Sequence, residues 1–299
     1  MNDATRRPMT AELNYLRTWI GRTQAEREFV SPRLAQQLAA TLNYEDVPRA
    51  GSPLPALWHW ALFPHIVSQS QVGADGHPTR GGFLPPVPLP RRMWAGSRVQ
   101  FERPLVVGSE VTRTSQILDV AAKEGRTGKL VFVRLRHELE DLEGPLISEE
   151  QDVVYRESAT TAYTAATGPS APTDFTWKRE IVPDPVLLFR YSADTFNGHR
   201  IHYDRTYAQE QEGYPALVVH GPLTATLLID LVRRSLPGES IASFSFKAVN
   251  PLFDQVPFHL YAARARGSAE VKLWAANSDG VLCVDAEATL TAPAYVFQK

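Results

Sequence analysis

Leu217-Val-Val-His-Gly-Pro-Leu-Thr-Ala-Thr-Leu-Leu-Ile-Asp-Leu-Val-Arg-Arg234 is apolar nearly all round its middle. A surface helix keeps one polar face, so a helix without one has to be covered on more than one side. Pro222 suits the first helical turn, and Arg233, Arg234 and Pro237-Gly238 mark the other end. Strands able to cover such a helix follow directly. Apolar alternation runs through Ala242, Phe244 and Phe246, through Val256, Phe258, Leu260 and Ala262, through residues 270–277, and through residues 281–290 after an Asp279-Gly280 turn.

The first half of the chain carries a similar plan. Strands are predicted at 98–102, 109–120, 129–139 and 146–156, with turn signals at Glu124-Gly125, Thr127-Gly128 and Gly144-Pro145. Residues 10–42 read as mainly helical, from Leu13, Leu16 and Ile20 and from Ser31-Pro32 opening a second helix over 33–42. Val99 to Val111 also lines up loosely with Phe244 to Val256, which points to a duplicated α+β unit. One buried helix wrapped by a curved antiparallel sheet is the hotdog arrangement. Residues 1–160 are expected to form an N-terminal unit and 178–299 a C-terminal catalytic one, with 161–177 as a linker that overlaps the Ala/Thr/Ser/Pro-rich stretch Ser158 to Thr173. Within the first unit, residues 43–97 are rich in Pro, Gly and Trp, so that segment is expected to be irregular and to dock over substrate.

Lys and Arg number 31 against 33 Asp and Glu, a net charge of -2 that provides no global field for nucleic acid or an anionic membrane surface. No window reaches the eighteen apolar residues of a membrane span, and the charged N-terminus has no apolar run after it. A cytoplasmic protein is expected. The single cysteine, Cys283, lies in an alternating apolar strand and reads as a packing residue.

The candidate site is Tyr191-Ser-Ala-Asp-Thr-Phe-Asn-Gly-His-Arg-Ile-His-Tyr-Asp204, together with His220-Gly221 at the head of the apolar helix. Gly221 places a backbone N–H at the positive end of a helix dipole with no side chain in the way. That suits a thioester carbonyl becoming an enolate. Close packing alone would equally explain a glycine there.

Two motifs, Phe83 to Gly96 (Phe-Leu-Pro-Pro-Val-Pro-Leu-Pro-Arg-Arg-Met-Trp-Ala-Gly) and Phe196 to Asp204, followed by Tyr207-Ala208 and His220-Gly221, resemble the MaoC-like, R-specific enoyl-CoA hydratases, whose loop reads D-x-N-P-[LI]-H-x-D. The resemblance is closer to the double-hotdog branch of mitochondrial-type 3-hydroxyacyl-thioester dehydratases and bacterial 3-methylfumaryl-CoA (mesaconyl-CoA) hydratases. It implies an α+β fold of two tandem hotdogs, each a curved antiparallel sheet around a central helix, with an acyl-CoA thioester between them. Aligning Ile201-His202 with [LI]-H puts Asn197 at the family's catalytic aspartate and His199 at its asparagine. Asn197 cannot carry a proton, so His202 is expected to be the general base and acid, Asn197 to hold the water and Gly221 N–H to bind the thioester oxygen. Asp194 sits too far before His202 for the usual loop path, and Asp204 reads as a helix N-cap.

Arg200 stands in place of the family's proline and is expected to meet a second carboxylate on the substrate. His199 and His220 are expected at the substrate, with a hydrogen-bonding structural role as the alternative. Arg91 and Arg92 are expected to contact CoA phosphates or cap the acyl pocket, against a solvated surface role. No metal or separate cofactor is expected, since His199 and His202 fit no H-E-x-x-H or Cys-rich pattern and CoA belongs to the substrate. His59, His65, His77, His137 and His259 carry no readable signal. The expected activity is syn hydration of a short branched or dicarboxylic enoyl-CoA, with 3-methylfumaryl-CoA or itaconyl-CoA giving citramalyl-CoA. The alternatives are a dehydratase of fatty-acid-type chains and a catalytically silent acyl-CoA binding module. Pairing as a homodimer is allowed.

Overall fold

The computed structural model of the chain describes residues 9–125, 128–157, 163 and 168–291. The N-terminal residues 1–8, Thr127 of one expected turn, and positions 161–162 and 164–167 of the expected linker lie outside them. The helices are α1 (Met9–Arg17), α2 (Pro32–Thr41), α3 (Pro185–Asp194), α4 (Arg205–Glu210) and α5 (Gly221–Ser235). The strands are β1 (Thr23–Phe29), β2 (Arg91–Phe101), β3 (Glu110–Gly125), β4 (Gly128–Asp141), β5 (Gly144–Arg156), β6 (Trp177–Ile181), β7 (Ser240–Ala248), β8 (Phe258–Ala263), β9 (Glu270–Ala276) and β10 (Leu282–Thr291). Among the described residues no helix is long and apolar enough to cross a membrane.

All ten strands form one antiparallel sheet in the order β1-β3-β4-β5-β2-β7-β10-β9-β8-β6. Read outward from the β2–β7 junction, the two halves have the same strand order, so the fold is a double hotdog built by duplication. Val99 and Phe244, the positions equated by the sequence alignment, lie directly opposite each other at that junction. A two-fold relation between the halves requires such a self-equivalent pair. Close approach there depends on Gly96, where a Cβ would fall 2.3 Å from the Phe246 carbonyl oxygen.

In the C-terminal half the expected helix is α5, shorter at its start than the apolar run because residues 217–219 are extended and Val218 bridges Phe253. Every residue from Leu223 to Val232 is buried, and α5 packs on β2, β6, β8, β9 and β10. Its one acidic residue, Asp230, is 1% exposed and is paired at 2.7 Å with both Arg179 of β6 and Arg234. Cys283 is buried in β10.

The N-terminal half departs from the sequence reading in two ways. Residues 23–29, expected within a helical stretch, form β1, an edge strand paired only to β3. Its sequence Thr-Gln-Ala-Glu-Arg-Glu-Phe presents charges where an edge benefits from them and lacks the apolar alternation that betrays a strand. The second strand also starts at Arg91, directly after the proline run, rather than at Arg98. The helix between β1 and β2, α2, starts at Ser31-Pro32 as expected, with Ser31 as its N-cap, and packs on α3. Residues 57–87 instead cover the concave face of this half-sheet, anchored by buried Leu57, Trp58, Leu62, Phe63 and Val87. Leu57 and Phe63, at φ of 70° and 56°, bracket the short 3₁₀ turn 58–61 that aims His59 and Trp60 inward.

Candidate active site

The concave N-terminal half-sheet, its cover and the start of α5 enclose a cavity of about 890 Å³. The wall that carries Asn197 and His202 is assembled locally. Helix α3, capped by Asp184 through Leu187 N at 2.7 Å, ends at Thr195, and Phe196 turns the chain at φ 50°. Asn197 N then donates to Ser192 O at 2.8 Å, while Asn197 Oδ1 accepts His199 N at 3.0 Å. A 3₁₀ turn carries Arg200 to His202, and Asp204 caps α4 by accepting Tyr207 N at 3.0 Å, as expected.

His202 is 7% exposed, and its Nδ1 lies 2.7 Å from the Val218 carbonyl oxygen. A carbonyl only accepts, so Nδ1 carries the proton and Nε2 is left with a free lone pair. Burial pushes this imidazole down to about 4, against the opposing pull of the Val218 bond, so it is neutral at pH 7. The His220 ring stacks on it at 3.7 Å and 19°. Burial and the neighbouring His202 hold His220 well below the ordinary histidine range, and its Nε2 meets Ser192 Oγ at 2.8 Å. His220 is also the N-cap of α5, so the residue stacked on His202 immediately precedes the Gly221 N–H, a first-turn donor with no partner inside the helix. A Cβ on Gly221 would meet nothing within 4 Å, and Gly221, Asn197 and His202 all line the cavity. Close packing therefore does not account for the glycine.

The arginines divide differently from expectation. Arg200, expected to face a substrate carboxylate, is held by Asp204 at 3.0 and 2.7 Å, lies over the Tyr207 ring and donates to Ala74 O at 3.0 Å. It is a clamp between two loops. Arg91, expected at CoA phosphates or the pocket rim, is buried with Nε 2.6 Å from Glu212 Oε2 and ties β2 to the end of α4. Arg92 is on the cavity wall and enters no ion pair among the described residues. Asp194 faces away from the cavity and accepts Thr41 Oγ1 at 2.7 Å.

Several wall residues had no sequence signal. Residues 73–77 form a tight turn resting on residues 198–200, with Arg200 N donating to Asp75 O at 2.9 Å. Asp75 accepts His77 N at 3.0 Å and His77 Nδ1 at 3.1 Å, and the His77 ring lies 4.1 Å from that of His199, which is 5.4 Å from His202. Burial, followed by the charges of His77, His202 and Arg92, keeps His199 well below the usual range. One donor atom from each of Asp75, His77 and His199 falls within 4.8 Å of the others, close enough for a metal ion. Deeper in the cavity, Glu149 is 3% exposed and accepts His59 Nε2 at 3.2 Å, Trp60 Nε1 at 3.0 Å and Ser97 Oγ at 2.7 Å. Burial would raise this carboxyl, but the His59 and Ser97 hydrogen bonds and the His59 and His137 charges bring it down to about 2. His137 joins Ser115 Oγ at 2.7 Å and Gln151 Oε1 at 3.3 Å on the same wall.

A model of the family described as hydroxyacyl-thioester dehydratase type 2 matches residues 57–254. Over 275 residues the chain is 46% identical to the mesaconyl-C(4)-CoA hydratase of Chloroflexus aurantiacus, covering 91% of this chain and 96% of that protein. It is 26% identical over 231 residues to the mitochondrial hydroxyacyl-thioester dehydratase type 2 of Schizosaccharomyces pombe, covering 68% of this chain and 75% of that one. The crystal structure of HtdX from Mycobacterium tuberculosis has the same fold, with a TM-score of 0.65 at 18% identity over 89% of this chain and 98% of that chain. The family match takes in every candidate site residue from Arg91 to Gly221, and the chain belongs to the hydroxyacyl-thioester dehydratase type 2 family, as a hydratase or dehydratase of the carbon–oxygen lyase class.

Proposed function

We propose that the protein adds water reversibly across the double bond of a short, carboxylated enoyl-CoA, with 3-methylfumaryl-CoA (mesaconyl-C4-CoA) giving citramalyl-CoA as the preferred pair. Conjugation to the thioester makes the β-carbon electrophilic. His202 Nε2 takes one proton from a water held by the Asn197 amide as the oxygen bonds to the β-carbon, and the double-bond electrons move onto the thioester oxygen. Gly221 N–H stabilises that enolate at the positive end of α5. The buried imidazolium returns its proton to the α-carbon on the same face, so H and OH of one water are added and His202 ends neutral.

The 46% identity to a mesaconyl-C(4)-CoA hydratase over nearly the whole of both chains carries this reading. The cavity favours it over long alkyl chains. The wall carries Arg113, Ser115, His137, Glu149 and Gln151, polar groups that give a long alkyl chain little apolar surface to pack against. In 3-methylfumaryl-CoA the second carboxylate is attached to the reacting β-carbon, so its anchor has to stand beside the catalytic imidazoles. Arg92, whose charge acts on both His77 and His199, is the guanidinium we assign to it.

The test is chromatographic detection of product from 3-methylfumaryl-CoA, itaconyl-CoA and crotonyl-CoA in parallel. Formation of citramalyl-CoA from the first is expected. Turnover of crotonyl-CoA alone would replace the reading with acyl-chain metabolism, and binding without turnover of any of the three would make the protein an acyl-CoA carrier. Itaconyl-CoA, whose double bond is not conjugated to the thioester, reports whether conjugation is required.

A further inference from the structure

We propose that Asp75, His77 and His199 form a binding site for a borderline divalent transition cation, of which Zn²⁺ is the representative, and that occupation of this site inhibits hydration. The inhibition rests on the reading above; the binding does not. The three donor atoms lie within 4.8 Å of one another, and together they make a two-imidazole, one-carboxylate set.

The juxtaposition is held by backbone. A Cβ on Gly76 would lie 1.8 Å from the Gly198 carbonyl oxygen, and one on Gly198 would lie 2.7 Å from that of Gly76. The two turns therefore meet with no side chain between them. Arg200 fastens the contact by donating its N–H to Asp75 O at 2.9 Å and Nη1 to Ala74 O at 3.0 Å. Both imidazoles line the cavity, so an ion can reach them and its remaining coordination positions face solvent or substrate. The 3.1 Å bond between His77 Nδ1 and Asp75 Oδ2 already holds one ring and the carboxylate together.

The chemical class follows from the donors and from Arg92. Ca²⁺ and Mg²⁺ prefer all-oxygen shells, and here two of three donors are nitrogen. The positive charge of Arg92 also acts on Asp75 and both rings, so purely electrostatic attraction for a cation is weak. The ion has to gain its affinity from bonds to imidazole, as Zn²⁺, Ni²⁺ and Cu²⁺ do. Inhibition follows from position, because the His199 ring is 5.4 Å from that of His202. A divalent charge there opposes formation of the His202 imidazolium.

Zinc ion alone, titrated into the purified full-length protein against a competing chromophoric chelator, reads the binding without turnover. One equivalent per chain is expected, with nitrogen and oxygen donors and no sulfur in zinc-edge X-ray absorption. Asp75→Asn and His77→Ala are each expected to weaken it at least about tenfold while thermal melts show a folded chain. Zinc should slow hydration by the wild type and chelator should restore it. Absence of a one-equivalent site, or unchanged zinc affinity in both variants, overturns the site. Stoichiometric binding that leaves hydration untouched overturns the inhibition, and failure of all zinc binding leaves the proposed reaction standing.

Discussion

Gly76→Ala puts the docking of the two turns to the test with a single methyl group. Gly76 sits at φ 88°, and the added Cβ would stand 1.8 Å from the Gly198 carbonyl oxygen, where ordinary contact begins at 3.4 Å. The obstacle is backbone, which cannot swing aside as a side chain does, so the turns must part by about 1.6 Å. Gly198 lies between Asn197 and His199, and the displacement is passed to the segment that aims Asn197 and His202. A misplacement on the order of 1 Å costs about 10²-fold in rate, equivalent to about 2.7 kcal/mol of barrier. Left-handed strain on alanine should add a stability loss of about 1–2 kcal/mol.

Two neighbouring glycines separate these effects. Gly81 is also left-handed, at φ 99°, but its Cβ would meet only Pro86 at 3.7 Å, whereas Gly82 is not left-handed and its Cβ would meet nothing within 4 Å. Gly81→Ala is expected to lower the melting temperature with little change in kcat, and Gly82→Ala to change neither. Steady-state hydration kinetics and thermal melts of the three variants give the answer. If folded Gly76→Ala keeps kcat within about threefold of wild type, or if Gly81→Ala loses as much activity, the docking does not position the catalytic segment.

His202→Ala, folded, should lose about 10²–10⁴-fold in kcat with little change in KM; near-normal turnover would remove His202 from the proton path. Arg92→Ala should raise KM for 3-methylfumaryl-CoA by about tenfold or more and leave KM for crotonyl-CoA unchanged if both are turned over, whereas an equal rise for both would move Arg92 to the CoA moiety. Stability should fall with acid. His202 titrates at about 4 in the folded chain against an ordinary 6.5, so between those values the unfolded chain holds the extra proton and stability drops as pH falls. The loss attributable to this one residue amounts to about 3 kcal/mol by pH 4, readable as a falling urea midpoint between pH 7 and pH 4 and smaller in His202→Asn.

What the sequence disclosed follows the physics of each segment. Helix α5 was legible because ten consecutive buried positions leave no polar face, and its Pro222 and two arginines mark the ends. Asp204 was legible as a cap because a short oxygen-bearing side chain before a helix has one common use, and Ser31-Pro32 as a helix start because proline suits the first turn. The two edge strands, β1 and β6, were not. Thr-Gln-Ala-Glu-Arg-Glu-Phe and Trp-Lys-Arg-Glu-Ile pair on one side only, and their charges erase the apolar alternation. The polar cavity wall was hidden for a related reason, since Ser148-Glu-Glu-Gln-Asp152 in β5 is polar on both faces and does not say that Glu149 and Gln151 point inward. Asp75 and His77 are far in sequence from His199, so no spacing rule reaches them. Arg200 was misread because its partner Asp204 was already explained as a cap, and one carboxylate serves both.

Duplication explains why one half has a helix where the other has a cavity. Both half-sheets curve the same way, and each concave face must be filled or covered to bury its apolar side chains. The C-terminal half fills its concavity with α5. In the N-terminal half the corresponding element, α2, packs against α3, and residues 57–87 act as a cover with space beneath. In the proposed reaction that space takes the acyl group, while the imidazole assigned to proton transfer, His202, and the N–H assigned to the enolate, that of Gly221, come from the half that kept its helix. Arg92 and the polar wall come from the other half, so neither unit alone holds every group the proposed reaction uses. Separating them would also expose β2 and β7 as unpaired edges. The same ladder that joins the duplicated units thus fixes the distance between His202 and the Arg92 side of the cavity, the two sides to which the proposed reaction assigns proton transfer and acyl-group selection.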